Sequence, residues 1–234
     1  MTSAADPSRI DAETGPATPT ATPTLSGVPL RTAKPSPRAS AQADGRPDRR
    51  KRRPSSAEAG VRVPEEGPGR FEIAPGSTGS TGAGQLVTYT VEVEVGVPLA
   101  ARKAAGIVDA TLTDPRGWTA GDTRALQRVA GDADVRVLLA TPGTTDALCA
   151  PLDTGGRLSC RNGGLVVLNA WRWVNGAATY DDLDDYRRYL VNHEFGHALG
   201  NDHEYCPNPG DPAPVMVQQT KSLEGCRPNP WPFP

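Results

Sequence analysis

The chain has 234 residues, and its 25 Lys and Arg against 27 Asp and Glu give a formal net charge of −2. This length accommodates one ordinary domain with a tail. The charge divides unevenly, because residues 1–70 carry a small excess of basic side chains and residues 71–234 an excess of acidic ones. An acidic domain argues against a nucleic acid as its partner.

Residues 1–70 are rich in Pro, Ala, Ser, Thr, Asp and Arg and almost lack aromatic and long apolar side chains. Such a segment cannot bury enough apolar surface to offset the entropy lost on ordering. The composition therefore predicts a disordered tail over 1–70 and one compact domain over 71–234. The basic run 49–53 is interpreted as solvated linker charge, with a nucleic-acid patch or the flank of a membrane anchor as alternatives.

Hydrophobic stretches in the chain are short. No apolar run of about 20 residues follows the basic cluster, so no membrane helix is expected. No apolar segment near Met1 has the character of a signal peptide.

Hydrophobic periodicity and turn signals divide the predicted domain into short elements. Alternation of apolar and polar residues over 86–97 predicts a half-buried strand. The apolar face that follows Pro98 predicts a helix. In chain order, the predicted elements are a short strand at 71–73, a loop at 76–84, a strand at 86–97, a helix at 99–113, a strand at 135–140, a helical turn at 144–148, a strand at 164–169 and a helix from about 182 to 200.

The four cysteines allow three disulfide connectivities. Their short local spacings favour the pairs Cys149–Cys160 and Cys206–Cys226, and an even count suits an oxidising compartment. Four reduced thiols in a cytosolic protein are the alternative. Cys206 also lies three residues after His203 and could instead be a metal ligand, although three histidines already suffice for such a site.

The run from His193 to His203 reads H-E-x-x-H-x-x-G-x-x-H and holds every histidine of the chain. On a helix, His193 and His197 lie on one face, where both imidazoles can reach a single ion. Gly200 can adopt the left-handed conformation that ends a helix, so the chain can turn back and bring His203 to the same ion. Satisfied surface histidines are the alternative interpretation.

Three neutral imidazoles leave one position open, which is typical of catalytic zinc. Zinc there would acidify a water and polarise a substrate carbonyl. Glu194 lies next to His193 and borders the site without being a ligand, so we expect it to act as general base. The motif predicts a Zn²⁺ cofactor held by His193, His197 and His203.

The long motif, followed by Met216, resembles the metzincin zinc peptidases, whose signature adds a methionine turn after the third histidine. The resemblance implies that Met216 packs beneath the metal ligands as a soft hydrophobe. Many metzincins carry a tyrosine two residues after this methionine, where the present chain has Gln218. We therefore expect no tyrosine switch, and Gln218 would hydrogen-bond substrate or pack.

Five further sequence runs make the resemblance more specific. They are 114–118 (DPRGW), 186–189 (YRRY), 192–194 (NHE), 213–216 (APVM) and 228–232 (PNPWP). With these runs the chain is similar, from about Phe71 to its C-terminus, to an actinobacterial family of uncharacterised, exported, metzincin-like proteins. That resemblance implies an extracellular or cell-surface location.

The fold expected from this resemblance is α+β. A small twisted mixed sheet would pack on two helices, the second carrying the zinc motif, and an irregular C-terminal part would follow. The strand at 164–169 would be the edge strand beside the cleft, although a central position is the alternative. Trp171 and Trp173 would serve core or rim packing.

The predicted function is zinc-dependent hydrolysis of peptide bonds, with a peptide or protein as the partner. A zinc amidase acting on cell-wall peptides is one alternative, and a non-catalytic zinc-binding recognition module is another. Glu194 argues against the module, because a structural zinc site needs no base and usually fills its fourth position. We also expect the chain to be a monomer.

Overall fold

The computed structural model describes residues 60–234. The predicted tail, up to residue 59, lies outside the described residues. Within 60–234 the chain forms seven strands and four helices. They are β1 (Phe71–Ile73), β2 (Thr81–Gly82), β3 (Gln85–Glu94), α1 (Ala101–Leu112), β4 (Arg124–Arg128), β5 (Val135–Ala140), α2 (Pro142–Cys149), β6 (Cys160–Asn162), β7 (Leu165–Asn169), α3 (Ala170–Asn175) and α4 (Leu183–Ala198).

All seven strands belong to one sheet, whose main path has the order β2-β4-β3-β5-β7-β6. Strands β4, β3, β5 and β7 run parallel to one another, while β2 and β6 pair antiparallel at the two ends. Strand β1 pairs antiparallel with β3 off this path. The sheet is therefore mixed, which confirms the broad fold class. The predicted small sheet on two helices was too simple, because β2, β4, β6 and α3 were not anticipated.

Strand β7 is central, so the prediction that it forms the edge of the sheet was wrong. It pairs with β5 on one side and with β6 on the other. The edge beside the cleft is β6, a three-residue strand whose two last residues are exposed. The apolar run of β7 indicates burial on both faces, which is typical of interior parallel strands. Edge strands are often short and polar, because a long apolar edge invites aggregation.

Two layers of apolar packing cover the sheet. The larger core fills the space between the sheet and helices α1 and α4, with Tyr89, Leu190 and Phe195 among its buried members. A smaller cluster on the strands, including Leu138 and Val167, packs with the disulfide near α2. The strand predicted at 86–97 was expected to bury only one face. Because apolar packing covers both faces of the sheet, it is not half-exposed.

Two acidic side chains of β3 are almost completely buried, and both are compensated. The carboxylate of Glu92 accepts hydrogen bonds from Arg136 at 2.6 and 2.7 Å. The carboxylate of Glu94 accepts from the backbone N–H of Gly69 and Thr141, and from the Thr144 hydroxyl. A buried carboxylate needs such partners, because an unpaired buried charge is strongly destabilising.

Residues 60–70 pack against the domain, so the boundary predicted at residue 70 was placed too late. The side chain of Val63 belongs to the main core. The carbonyl of Glu65 accepts a hydrogen bond from the Gly143 N–H, and its carboxylate pairs with Arg157. The amino-acid composition did not indicate this packing, because the segment is held by one buried apolar residue and by polar contacts to distant parts of the chain.

Candidate metal centre

Helix α4, Leu183–Ala198, lies within the helix predicted from about 182 to 200. The Asp182 side chain caps its first turn by accepting hydrogen bonds from the N–H groups of Asp184 and Asp185. At its other end Gly200 has a φ of +94°, a conformation that glycine adopts without steric cost. The chain reverses there, and the carbonyl of Gly196 accepts from the N–H of Asn201.

This reversal brings the three histidines together. One ring nitrogen from each of His193, His197 and His203 lies within 4.8 Å of the others. The Nε2 atoms of His197 and His203 are 3.1 Å apart. Two tetrahedral zinc ligands at about 2.0–2.1 Å from the ion would stand roughly 3.3 Å apart. The cluster thus fits a metal ion, and the three predicted ligands lie where the motif requires.

Two of the imidazoles are held by backbone carbonyls. His193 Nδ1 lies 2.9 Å from the Val215 carbonyl oxygen, and His197 Nδ1 lies 2.8 Å from that of Asn201. Each Nδ1 therefore carries the proton and donates, which leaves Nε2 free as a ligand. This outer hydrogen bond is the usual way in which proteins fix the tautomer of a metal-binding histidine.

The environment also keeps His193 and His203 neutral. Burial lowers the pKa of His193 to about 3. Burial is likewise the main cause that lowers the pKa of His203. Because only the neutral imidazole binds a metal, both shifts favour metal binding at neutral pH.

Glu194 is 6 % exposed and lies at the same cavity as the three histidines. Burial raises the pKa of its carboxyl to about 8, so the metal-free protein holds it largely protonated at pH 7. A cation bound by the histidines would favour the ionised form, because an opposite charge nearby lowers a carboxyl pKa. A carboxyl balanced in this way is suited to proton transfer.

Beneath the helix, Gly196 allows two large side chains to approach the backbone. A Cβ atom on Gly196 would stand 2.6 Å from Met216 Sδ and 2.6 Å from Trp118 Cζ2. Met216 is almost fully buried and lies in the main core. Met216 and Trp118 therefore pack together against the histidine helix.

The sequence runs that carry the resemblance meet behind α4. Trp118 donates its indole N–H to the Asn192 carbonyl at 2.9 Å, and the Asn192 amide donates to the Pro230 carbonyl at 2.8 Å. The guanidinium of Arg116 stacks 4.0 Å from the ring centre of Trp231. The DPRGW, NHE and PNPWP runs are thus parts of one packed support for the histidine helix.

A cleft of about 400 Å³ opens beside the histidines. One wall comes from the loop and edge strand at 158–161, and the other from the segment after Met216. Besides the predicted Cys160 and Gly200, the residues that line it without having been predicted as site residues are Leu152, Asp153, Leu158, Ser159, Arg161, Tyr189, Asn201, Asp202, Thr220 and Lys221. Tyr189 lies one helical turn before His193, so helical spacing could have identified it. Asn201 and Asp202 lie within the histidine motif itself, and the remaining residues are brought to the cleft by long-range folding.

Both predicted disulfides are present, Cys149–Cys160 and Cys206–Cys226. The first closes the loop that carries one wall of the cleft, and the second joins the segment after His203 to the C-terminal part. Because Cys206 is bonded to Cys226, it is not a metal ligand. Two disulfides favour an oxidising compartment such as the cell exterior.

A family described as "Protein of unknown function (DUF3152)" matches residues 57–234, about three quarters of the chain. The chain belongs to the DUF3152 family. The match to DUF3152 covers every residue of the metal cluster, the cleft and both disulfides. No curated protein and no solved structure matches the chain significantly. Across residues 60–234, none of the helices combines the length and the apolar character needed to span a bilayer.

Proposed function

We propose that this chain is a metzincin-like zinc peptidase in which His193, His197 and His203 hold the ion and Glu194 is the general base. One observation carries the proposal: three imidazoles converge within 4.8 Å at a cleft that also contains a buried carboxyl. The Nδ1 hydrogen bonds orient two of the rings before any ion binds. Such preorganisation is typical of metal sites that have been selected for function.

The open coordination position favours catalysis over a structural role. Among residues 60–234, the cluster of possible ligands contains only the three histidines. Structural zinc sites are usually closed by four protein ligands, whereas catalytic sites keep one position for water or substrate. A bound zinc ion supplies Lewis acidity, which polarises a carbonyl and acidifies water.

Glu194 would carry the proton. In its ionised form it accepts a proton from the attacking water and later passes it to the leaving amine. The proton has a short route, because the carboxyl is adjacent in sequence to His193 and lines the same cleft. A recognition module would need no such base, and a buried carboxyl without a role would be destabilising.

A peptide is the substrate that the cleft fits best. Strand β6 pairs only with β7 among the described strands, so its outer edge can hydrogen-bond an extended chain. Ser159, Cys160 and Arg161 of this edge region line the cleft beside the histidines. The resemblance implied an edge strand in this position, and β6 fulfils that role in place of β7. Two disulfides are compatible with an exported enzyme.

The test is a zinc-loaded assay of the full chain against a peptide library, with metal content measured by atomic emission. We expect one zinc per chain, a zinc affinity more than about 100-fold weaker in His203→Ala, and hydrolysis of some peptides. Glu194→Gln should keep its zinc and lose about 10²–10⁴-fold in rate. If parent and Glu194→Gln are equally inert while both hold zinc, the recognition module is correct. Equal, nonzero activity in both would place the chemistry elsewhere.

A further inference from the structure

Two side chains of the cleft, Gln218 and Lys221, have no place in the function proposed so far. Both line the same cavity as the histidines and Glu194. The Lys221 ammonium donates a hydrogen bond to Gln218 Oε1 at 3.3 Å. They come from the segment after Met216, on the wall that faces β6. Gln218 stands where many metzincins would carry a tyrosine.

The backbone that presents this pair is rigidly held. The carbonyl of Gln218 accepts hydrogen bonds from the N–H groups of Lys221 and Ser222. Between the pair lies Gln219, which is fully buried. Its amide oxygen accepts from the Tyr180 hydroxyl at 2.8 Å and from the Asn229 N–H at 3.0 Å. Its amide nitrogen donates to the Asn229 carbonyl at 2.8 Å.

Lys221 is a cation without an acidic partner. Asp153 and Asp202 line the same cleft, yet no carboxylate among residues 60–234 forms an ion pair with it. Lys221 therefore places an uncompensated positive charge at the cavity that holds the metal cluster. The Gln218 amide nitrogen has no hydrogen-bond partner among the described residues, so it is also a free donor.

We propose that Lys221 and Gln218 are the donor pair that stabilises the oxygen of the scissile carbonyl as it becomes negatively charged. This inference rests on the proposed peptidase function and names two further residues for that reaction. Preorganised donors aimed at a developing oxyanion are usually among the largest contributions to catalysis of acyl transfer. Gln218 would hold the ammonium in place through its oxygen and use its own N–H groups as the second donor.

The electron and proton balance of the step is simple. The oxygen of the attacking water bonds to the carbonyl carbon, Glu194 takes one proton, and the π electron pair moves onto the carbonyl oxygen. Lys221 and Gln218 donate hydrogen bonds to that oxygen and keep their protons. When the carbonyl re-forms, the C–N bond breaks and the proton on Glu194 goes to the leaving amine.

A substrate carboxylate could use the same donors, because it presents the same anionic oxygen chemistry. The two possible acceptors, the developing oxyanion and a substrate carboxylate, predict different kinetics. A donor to the transition state lowers kcat when removed, whereas a contact to a group that is already charged in the substrate changes KM.

The experiment compares the zinc-loaded full chain with Lys221→Met, Gln218→Met and the control Lys103→Met, which removes an exposed lysine of α1 outside the cleft lining. Zinc content is measured first and should be equal in all four proteins. Lys221→Met should lower kcat by about 100-fold or more, with KM changed by less than about twofold. Lys221→Arg should restore part of the rate, because it restores the charge.

Binding of methylphosphonate, a small tetrahedral oxyanion, gives a readout that needs no turnover. Its dissociation constant should rise about 10-fold or more in Lys221→Met, because a charge-assisted hydrogen bond is lost, and stay unchanged in Lys103→Met. Unchanged kcat and unchanged phosphonate affinity in Lys221→Met would overturn the inference, and so would a rise in KM alone. If the parent holds no zinc or hydrolyses nothing while Lys221→Met still weakens phosphonate binding, the peptidase proposal fails, and the pair is an anion-binding site without a role at a scissile carbonyl.

Discussion

Met216 packs on Gly196 so closely that its Sδ atom lies 2.6 Å from the point where a Cβ would stand. Gly196 is the fourth residue of the H-E-x-x-H run, between the two helical ligands in sequence, and Met216 comes from the loop after the third ligand. Trp118 approaches the same point from another part of the chain. The glycine therefore sets the distance between the histidine helix and its support.

Gly196→Ala should destabilise the protein, although alanine is the better helix former. Neither the indole of Trp118 nor the buried sulfur can move away freely, so we expect a net loss of about 1–3 kcal/mol in the free energy of unfolding. Chemical denaturation measures it. Gly106→Ala in α1 is the matched control, because no atom lies within 4 Å of its Cβ position. The free energy of unfolding of Gly106→Ala should rise by up to about 1 kcal/mol. Equal effects of the two substitutions would contradict the packing argument.

The buried carboxyl of Glu194 predicts how stability changes with pH in the metal-free protein. Its pKa is raised from 4.5 to about 8, so between these values the folded state holds a proton that the unfolded state has lost. Stability must therefore fall as pH rises through this range. The lowered pKa of His193 acts in the opposite sense, but only between about 3 and 6.5.

Between pH 6.5 and 8 the effect of Glu194 is no longer opposed by His193. With a chelator present, we expect the free energy of unfolding to fall by about 2 kcal/mol over this interval. Glu194→Gln cannot ionise and should show a much flatter profile. Denaturant titrations at several pH values measure both proteins. A flat profile in the parent would mean that Glu194 is not buried in the metal-free state.

The Cys206–Cys226 disulfide should matter for metal binding more than Cys149–Cys160 does. It anchors the segment directly after His203, whose Glu204 N–H also bonds to the Met216 carbonyl. Replacing both members of this pair with Ala should weaken zinc affinity by about 10-fold or more, because the third ligand loses its support.

Replacing Cys149 and Cys160 with Ala is the matched control. Each double variant should lose roughly 3 kcal/mol of stability, since both disulfides close loops of similar length. Only the 206–226 variant should show the loss of zinc affinity, measured by competition with a chelator. Equal zinc affinities in the two variants would show that His203 is positioned without the disulfide.

A chain that starts at residue 71 should be less stable than one that starts at residue 60. The shorter chain lacks the buried side chain of Val63 and the Gly69 N–H that bonds to Glu94. We expect its free energy of unfolding to be lower by about 3 kcal/mol or more. Thermal unfolding of the two chains tests this, and Val63→Ala in the longer chain separates the apolar contribution. Identical melting temperatures would restore the boundary first predicted at residue 70.

Helix α4 was predictable because its signals are local. The Asp182 cap, the stripe of Tyr186 and Leu190 and the glycine at its end all lie within one stretch of chain. Helical spacing alone places His193 and His197 on one face. Strand β4 was missed for the opposite reason, because its sequence carries charged and polar residues that are satisfied only by partners such as Thr78 and Asp109.

The positions of β6 and β7 could not be obtained from their sequences. An apolar run such as 165–168 predicts burial, but which strands flank it depends on the path of the whole chain. The same holds for residues 60–70, whose docking depends on Glu94 and Gly143. Pairing partners far apart in sequence are fixed by the cooperative packing of the sheet, which leaves no local pattern.

The sequence by itself predicted the histidine cluster, Glu194 beside it and both disulfides, because each depends on residue type and short spacing, and the resemblance added Met216. The tertiary structure alone decided that Trp118 packs under Gly196, that β6 forms the edge of the cleft and that Lys221 and Gln218 line the same cavity as the histidines. Short spacings encode local geometry through the period of the helix and the reach of a loop. Contacts between distant segments arise only when burial and hydrogen bonding are satisfied together over the whole domain.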